Sequence, residues 1–484
     1  MSDQVRKLEP SSLWNHFADL NAVPRPSKKE ENVIKFMVDF GKKNGLETYT
    51  DKIGNIIIKK PATLGMEDRQ TIILQSHVDM VHQKNNDTVF DFENQGIRMF
   101  VDGDWVKADG TTLGADNGIG VATIMAILSS SDIAHPSLEA MFTVDEETGM
   151  TGAKELDPTF YDGTILLNLD TEDDDELSIG CAGGIDTNTV YHYEELPTPG
   201  NVNSFKIELK GLKGGHSGMD IDKGRANANK LMNRFLYESP VEIIVHSVKG
   251  GGLRNAIPRE SVAVISVKEG EIGQFNLYAD EALKNFQREY TPVEQGIQLK
   301  SEAISTPSKR MDTRQQQRIL QAIYALHNGV YKMSLTFDNL VETSSSLAQV
   351  YIENGVFETK SLQRSSVEST KKDVANTIKS TFELLGAHIE QTGDYPGWEP
   401  NPDSKILNTM ANMYRKKFNG EPRIQACHAG LECGILGKHL PDVDMISFGP
   451  NIRHAHSPDE CVQISSVQKF WDFLLDVLKE TPKK

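Results

Sequence analysis

Cysteine is scarce in this chain. Of 484 residues only four are cysteines, Cys181, Cys427, Cys433 and Cys461. None belongs to a CxxC pair, which argues against a cysteine-based zinc knuckle. So few thiols in so long a chain make no disulfide scaffold and suit a reducing compartment. Long apolar runs are missing too. No stretch approaches the ~20 residues that cross a bilayer, so a membrane is not an expected partner. Basic residues are outnumbered, 51 Lys and Arg against 69 Asp and Glu, for a net charge of −18. A surface that acidic repels phosphate backbones and argues against nucleic acid, although it selects no substrate. The opening MSDQVRKLEPSSLWNHF has neither the apolar core nor the small-residue cleavage site of a secretory signal. A cytoplasmic protein is expected. Internal repeats, heptads and low-complexity tracts are absent as well.

Hydrophobic residues at 38% and charged residues at 25% fit a soluble globular protein. The length exceeds one ordinary core of ~100–200 residues, so two or three folding units are expected. The first part alternates strand and helix patterns. Ser27 to Gly45 reads as a helix, with Ser27 as N-cap and Glu30 at the capping-box position. Val33, Ile34, Phe36, Met37 and Phe40 form its apolar stripe. Strand-like runs at 55–58, 71–75, 138–144 and 164–169, with a very apolar helix pattern at 118–128, predict an α/β layer with a mostly parallel sheet. The glycine-rich stretch 180–184 reads as a hinge or an exit from that sheet. Residues 186–395 read as an α+β insert, closed by the turn chemistry of Pro396-Gly397-Trp398-Glu399-Pro400. The α/β style then returns and ends in a helix expected to start at Ser465, with Gln468 at its capping-box position. The expectation is one discontinuous α/β domain, residues 1–185 plus 396–484, interrupted by an α+β domain at 186–395.

Acid- and histidine-bearing motifs end the predicted strands or lie just beyond them. They are His77-Val78-Asp79, Asp116 in TTLGADNGIG, the pair Glu146-Glu147, Asp170, and His456 in HAHSPDE. In open α/β sheets ligand sites gather at the carboxyl ends of strands. Imidazole with carboxylate suits Zn²⁺, and there are enough donors here for two ions sharing one carboxylate. Two such ions ~3.5–4 Å apart can activate a water and polarise a carbonyl together. One of the adjacent glutamates could bind metal while the other serves as base. Taken singly, each residue has a plainer reading: Asp116 as an N-cap, Glu146-Glu147 as a solvated loop, Asp170 as the start of the acidic run TEDDDE, His456 as a core histidine. Their joint occurrence at strand ends favours the metal reading.

HVD, GADNGIG, DEETG, NLDTE and a distant HSPDE together resemble the dinuclear zinc metallopeptidases that include glutamate carboxypeptidases, aminoacylases and carnosinases. Longer segments, among them VDMVHQKNNDTVFDF, GCAGGID, LKGLKGGHSG, LRNAIPRE, YPGWEP and HAGLECG, resemble the bacterial Xaa-His dipeptidases of that family; residues 268–356 match only at scattered positions. The resemblance implies a zinc-peptidase catalytic domain interrupted by an α+β lid. Asp116 would bridge two divalent ions, zinc before cobalt or manganese. His77 and Asp170 would complete one site, Glu147 and His456 the other. Glu146 would be the general base, and Asp79 would hold the other ring nitrogen of His77. His216 in GGHSG would be the lid histidine that stabilises the oxyanion when the lid closes. Otherwise it is a turn histidine among glycines.

For the substrate termini, the resemblance offers Glu432 toward the amine, and Asn255 and Arg364 toward the carboxylate. Their plain readings are a helix-surface acid, a turn residue and an exposed strand charge. The insert, about 210 residues long, suits two lobes. A homodimer is an expectation from the resemblance alone. The implied activity is hydrolysis of unblocked dipeptides, Xaa-His such as β-alanyl-histidine above all. The rivals are an aminoacylase or carboxypeptidase with the same metals, and a non-catalytic peptide-binding protein. A two-metal phosphoesterase lacks its arginine cluster.

Overall fold

Three strands near the middle of the first sheet, Ile72–His77, Leu138–Thr143 and Ile165–Asn168, are buried at every residue. Their near-continuous apolar sequences are what a parallel sheet covered on both faces requires. The computed structural model describes residues 2–484. They divide into two compact units, Met1–Gly180 with Pro400–Ala426 and Leu431–Lys484, and Cys181–Glu399 with Cys427–Gly430.

The first unit holds an eight-stranded sheet in the order Glu47–Thr50, Ile56–Lys60, Leu138–Thr143, Ile72–His77, Ile165–Asn168, Asp444–Ser447, Glu176–Cys181, Arg423–Cys427. The four strands from Leu138–Thr143 to Asp444–Ser447 run parallel. Antiparallel pairs flank them. The helix Ala115–Ser129 is apolar all round and buried almost throughout, as a helix packed on both sides must be. It lies against Ser11–Asn21 and the strand Ile72–His77.

Two helix starts differ from the sequence reading. The first helix of that reading runs Glu31–Lys43 with Glu30 at its N-cap. Lys28 is left-handed at φ 66°, and its N–H donates to Glu30 Oε1 at 2.7 Å, so the turn closes before the helix begins. Ser27 is free to donate its hydroxyl to Asp79 Oδ2 instead, at 2.8 Å. The last helix runs Ile464–Lys479. The N–H and hydroxyl of Ser465 both reach Asp104, at 3.0 and 2.5 Å, so a carboxylate from a distant turn does the work expected of Gln468. Residues 180–184 are mostly strand, the end of Glu176–Cys181 and the start of Gly183–His192.

The second unit is built on a nine-stranded sheet whose registered pairs are all antiparallel. Helices Ala228–Tyr237, Ile272–Tyr290, Thr313–Ala325 and Glu368–Leu385 contribute to its hydrophobic core. Asn227 caps the first of these by accepting the N–H groups of Asn229 and Lys230 at 3.0 and 3.2 Å. The short strand Gly215–His216 pairs with Ala256–Ile257. Arg364 lies on the strand Val356–Ser365.

Candidate metal centre

The parallel strands of the first unit deliver their loops to one place. His77 is the last residue of its strand. Glu146 and Glu147 open a short helix just beyond the neighbouring strand, after Asp145 turns left-handed at φ 53°. Asp170 lies two residues past Ile165–Asn168. Asp116 sits in the first turn of Ala115–Ser129, where it leaves helical geometry with ψ 109° and so aims away from the helix. His456 is itself left-handed at φ 64°. Non-glycine residues in that region are costly and collect at functional sites.

Asp116 stands between the two imidazoles. Its Oδ1 is 3.3 Å from His77 Nε2 and its Oδ2 is 3.1 Å from His456 Nε2. His77 Nε2 is also 3.6 Å from Asp170 Oδ1, and His456 Nε2 is 3.0 Å from Glu147 Oε2. Four groups of three possible donors lie among the described residues, and two of them, His77–Asp116–Asp170 and Asp116–Glu147–His456, have Asp116 in common. Ligands at ~2.0–2.2 Å in tetrahedral array lie about 3.3–3.6 Å from one another, close to the spacing found here. Glu147 Oε1 is buried without a hydrogen-bond partner.

The electrostatics agree with an electron-rich pocket short of positive charge. Burial alone would lower His77, but Asp170, Asp116 and Asp79 hold it well above the usual imidazole range. Hydrogen bonds to Asp116 and Glu147 push His456 up to about 11. Burial drives Glu146 and Asp170 well above the carboxylate range, with neighbouring carboxylates adding to the effect. Asp116 goes the other way. Burial opposes its charge, yet the hydrogen bonds from His456 and His77 hold it well below. Raised imidazoles around one low carboxylate, with two further carboxyls held up by their crowding, fit a pair of divalent cations.

Asp79 backs this cluster. Its Oδ1 is 3.3 Å from His77 Nδ1 and accepts the Glu146 N–H at 3.0 Å, while Oδ2 accepts the Glu147 N–H at 3.3 Å. It therefore orients His77 and the glutamate pair together. Glu432 is buried, not a surface acid. Its Oε2 accepts from Gln75 Nε2 and Thr143 Oγ1, each at 2.7 Å. Its Oε1 is buried without a partner. Burial raises its carboxyl to about 7.

The other three candidates lie in the second unit. His216 Nδ1 accepts the N–H groups of Gly218 and Met219 at 3.2 and 3.0 Å. That fixes the tautomer, leaving Nε2 as an N–H donor. Burial, then the charge of Arg364, lowers His216 to about 4, so the ring is neutral. Arg364 is 4% exposed, not an exposed strand charge. Among the described residues its guanidinium donates only to Tyr395 Oη, at 2.9 Å, and Nε has no partner. The backbone of Asn255 accepts the Ser217 N–H at 2.8 Å, which ties it to the His216 turn.

Sequence reasoning missed several neighbours. His428 is buried, bonds Ser344 Oγ through Nε2 at 2.8 Å, and is lowered to about 3 by burial, then by Arg364. Gln75 and Thr143 carried a usable signal, being polar residues inside apolar strands. Glu460 stands four residues after His456 in a motif already singled out. Arg25, buried at 1% exposure, had no local signal.

The profile of Peptidase family M20/M25/M40 matches residues 73–480. The chain is 40% identical over 483 residues to the cytosol non-specific dipeptidase of Escherichia coli, an alignment covering 99% of this chain and 100% of that protein. It is 40% identical to the crystal structure of aminoacylhistidine dipeptidase from Vibrio alginolyticus, with a TM-score of 0.94 and 100% of both chains covered. Aminopeptidase PepT from Bacillus cereus shares the fold at 16% identity and a TM-score of 0.57, over 98% of this chain and 99% of the other.

Proposed function

The chain belongs to peptidase family M20/M25/M40, and from that premise we propose a metal-dependent dipeptidase that hydrolyses unblocked dipeptides, Xaa-His such as β-alanyl-histidine above all. The relatives named as dipeptidases support the reaction class. One observation carries the mechanism: a half-buried aspartate, Asp116, offers one oxygen to each of two imidazoles. His77, Asp116 and Asp170 would hold one divalent ion, and Asp116, Glu147 and His456 a second. Zinc suits these donors best. When bound, such ions supply Lewis-acid polarisation of the scissile carbonyl and lower the pKa of water.

The residues of the chain do the rest. Glu146 takes the proton of the attacking water on its carboxylate and passes it to the leaving amine. Burial makes that carboxylate a stronger base than an exposed glutamate. Asp79 keeps His77 in the tautomer whose Nε2 faces Asp116 and Asp170. His216 offers its fixed Nε2–H to the oxyanion. Glu432 Oε1 meets the free amine of the substrate, and Arg364, with Asn255, meets its carboxylate. A buried acid with a spare oxygen, Glu432, favours a free amine on the substrate. That distinguishes a dipeptide from an N-acylated amino acid, the substrate of the aminoacylase rival.

No helix among the described residues is long and apolar enough to cross a membrane. The cytosol designation of a relative supports a cytoplasmic location. A homodimer remains the expectation from the resemblance, and the second unit the proposed lid. The test is histidine release from β-alanyl-histidine by wild type and Glu146→Ala, each with and without chelator. Only metal-loaded wild type should turn over. Equal activity in the variant would remove Glu146 from the reaction, and faster cleavage of N-acetyl amino acids would favour the rival.

A further inference from the structure

Glu460 is 2% exposed, and among the described residues no lysine or arginine forms an ion pair with it. Four consecutive backbone N–H groups hold it instead. Its Oε2 accepts from Leu113 at 2.7 Å and Gly114 at 2.9 Å, and its Oε1 from Ala115 at 2.8 Å and Asp116 at 3.2 Å. A helix start leaves such amides without intrahelical partners, and hydrogen bonds to an ionised acceptor are the strong ones. Glu460 follows His456 by four residues. One loop therefore grips Asp116 twice, by an imidazole 3.1 Å from its Oδ2 and by a carboxylate on its backbone amide.

Arg25 fastens the same segment from the other side. Its Nη1 donates to the carbonyls of Val78 and Asp79 at 3.1 and 3.0 Å, and its Nη2 to the Gly114 carbonyl at 2.5 Å. Gly114 is left-handed at φ 70°, and a Cβ there would come within 2.5 Å of Arg25 Nη2, so glycine is required on two counts. The turn before Asp116 is thus held between a buried acid and a buried base, linking the HVD, GAD and HSPDE loops.

We propose that Glu460 is a positioning residue: by gripping the amides of residues 113–116 it sets the direction of the Asp116 carboxylate, so that one oxygen faces His77 and the other His456. The inference rests on the two-metal reading of the site. It concerns a residue that need touch neither ion nor substrate. Glutamine at 460 would turn an NH₂ group toward two of the four amides and loosen the turn. A control exists in the same unit. Glu139, also buried, accepts the N–H groups of Asp162 and Gly163, each at 3.0 Å, and pairs with Lys59 at 3.0 Å, but sits near the start of its strand, opposite the end from which Glu146 and Glu147 follow.

The test is calorimetric titration of the metal-free protein with zinc, alongside thermal unfolding and β-alanyl-histidine hydrolysis, for wild type, Glu460→Gln and Glu139→Gln. Wild type should take up two zinc ions. Glu460→Gln should bind at least one of them about 10–100-fold more weakly. Glu139→Gln should melt earlier yet bind zinc like wild type. Wild-type affinity in Glu460→Gln, or an equal loss in Glu139→Gln, overturns the proposal. Should Glu460→Gln fail to fold, Glu460→Asp keeps the charge with a shorter reach and carries the same expectation at smaller size; wild-type affinity there counts equally against it. A wild type that binds no zinc and cleaves no dipeptide removes the two-metal reading itself. A wild type that does both, beside an unaffected Glu460 variant, removes only the positioning role.

Discussion

Each unit carries a polar cluster with two histidines, and the two clusters treat histidine in opposite ways. In the first unit carboxylates surround His77 and His456 and raise both, His456 to about 11. In the second, burial and the charge of Arg364 lower His216 to about 4 and His428 to about 3. Desolvation pulls all four rings downward, so the charged neighbours decide the sign. The acid-rich cluster suits cations. The other holds neutral donors beside a cation without an acid, and suits an anion or a developing oxyanion.

Substitutions should separate the two halves. Glu146→Ala, in the acid cluster, should lower kcat by about 10²–10⁴ while zinc content stays at the wild-type level. His216→Ala should lower kcat by about 10²–10³, the cost of one oxyanion donor, again without loss of zinc. Loss of zinc from this variant would break the division between the clusters. Arg364→Gln should act on binding, raising KM for a free dipeptide by about 10–100-fold through a lost charge-assisted bond. A dipeptide amidated at its carboxyl end should be far less sensitive to the change. Steady-state kinetics with the two substrates reads this directly.

The smallest effect concerns pH. His216 and His428 have folded values below the 6.5 of an ordinary histidine, so between the two values the unfolded chain binds more protons. Their burial costs nothing above pH 6.5 and lowers stability as pH falls from there toward 4. Urea unfolding of wild type and His428→Gln at pH 8 and pH 5 should show a smaller acid loss in the variant. An identical loss would mean that His428 is protonated when folded.

The two clusters also differed in how far they could be read from the sequence. His77, Asp116, Glu146, Glu147, Asp170 and His456 stand at ends of apolar strands or beside a glycine turn, signals carried within a few residues. The burial of Glu432 and Arg364 was not visible. Each reads locally as a surface charge, and only distant residues, Gln75 and Thr143 for one and Tyr395 for the other, enclose them. The parallel centre of the first sheet followed from alternating patterns, whereas its antiparallel flanks depend on pairing that local periodicity does not encode. Ser27 failed as a helix cap because its hydroxyl serves Asp79, 52 residues away. Arg25, and the role of Glu460 within HSPDE, lay beyond reach for the same reason, since their partners include backbone groups brought near by folding.

The most direct test is metal content. Wild type and Asp116→Asn, each loaded with zinc and dialysed, should be compared by atomic emission. The account predicts two zinc ions per wild-type chain and a loss reaching both sites in the variant, since a single carboxylate serves both. Two tightly held ions in Asp116→Asn, or none in wild type, would contradict it.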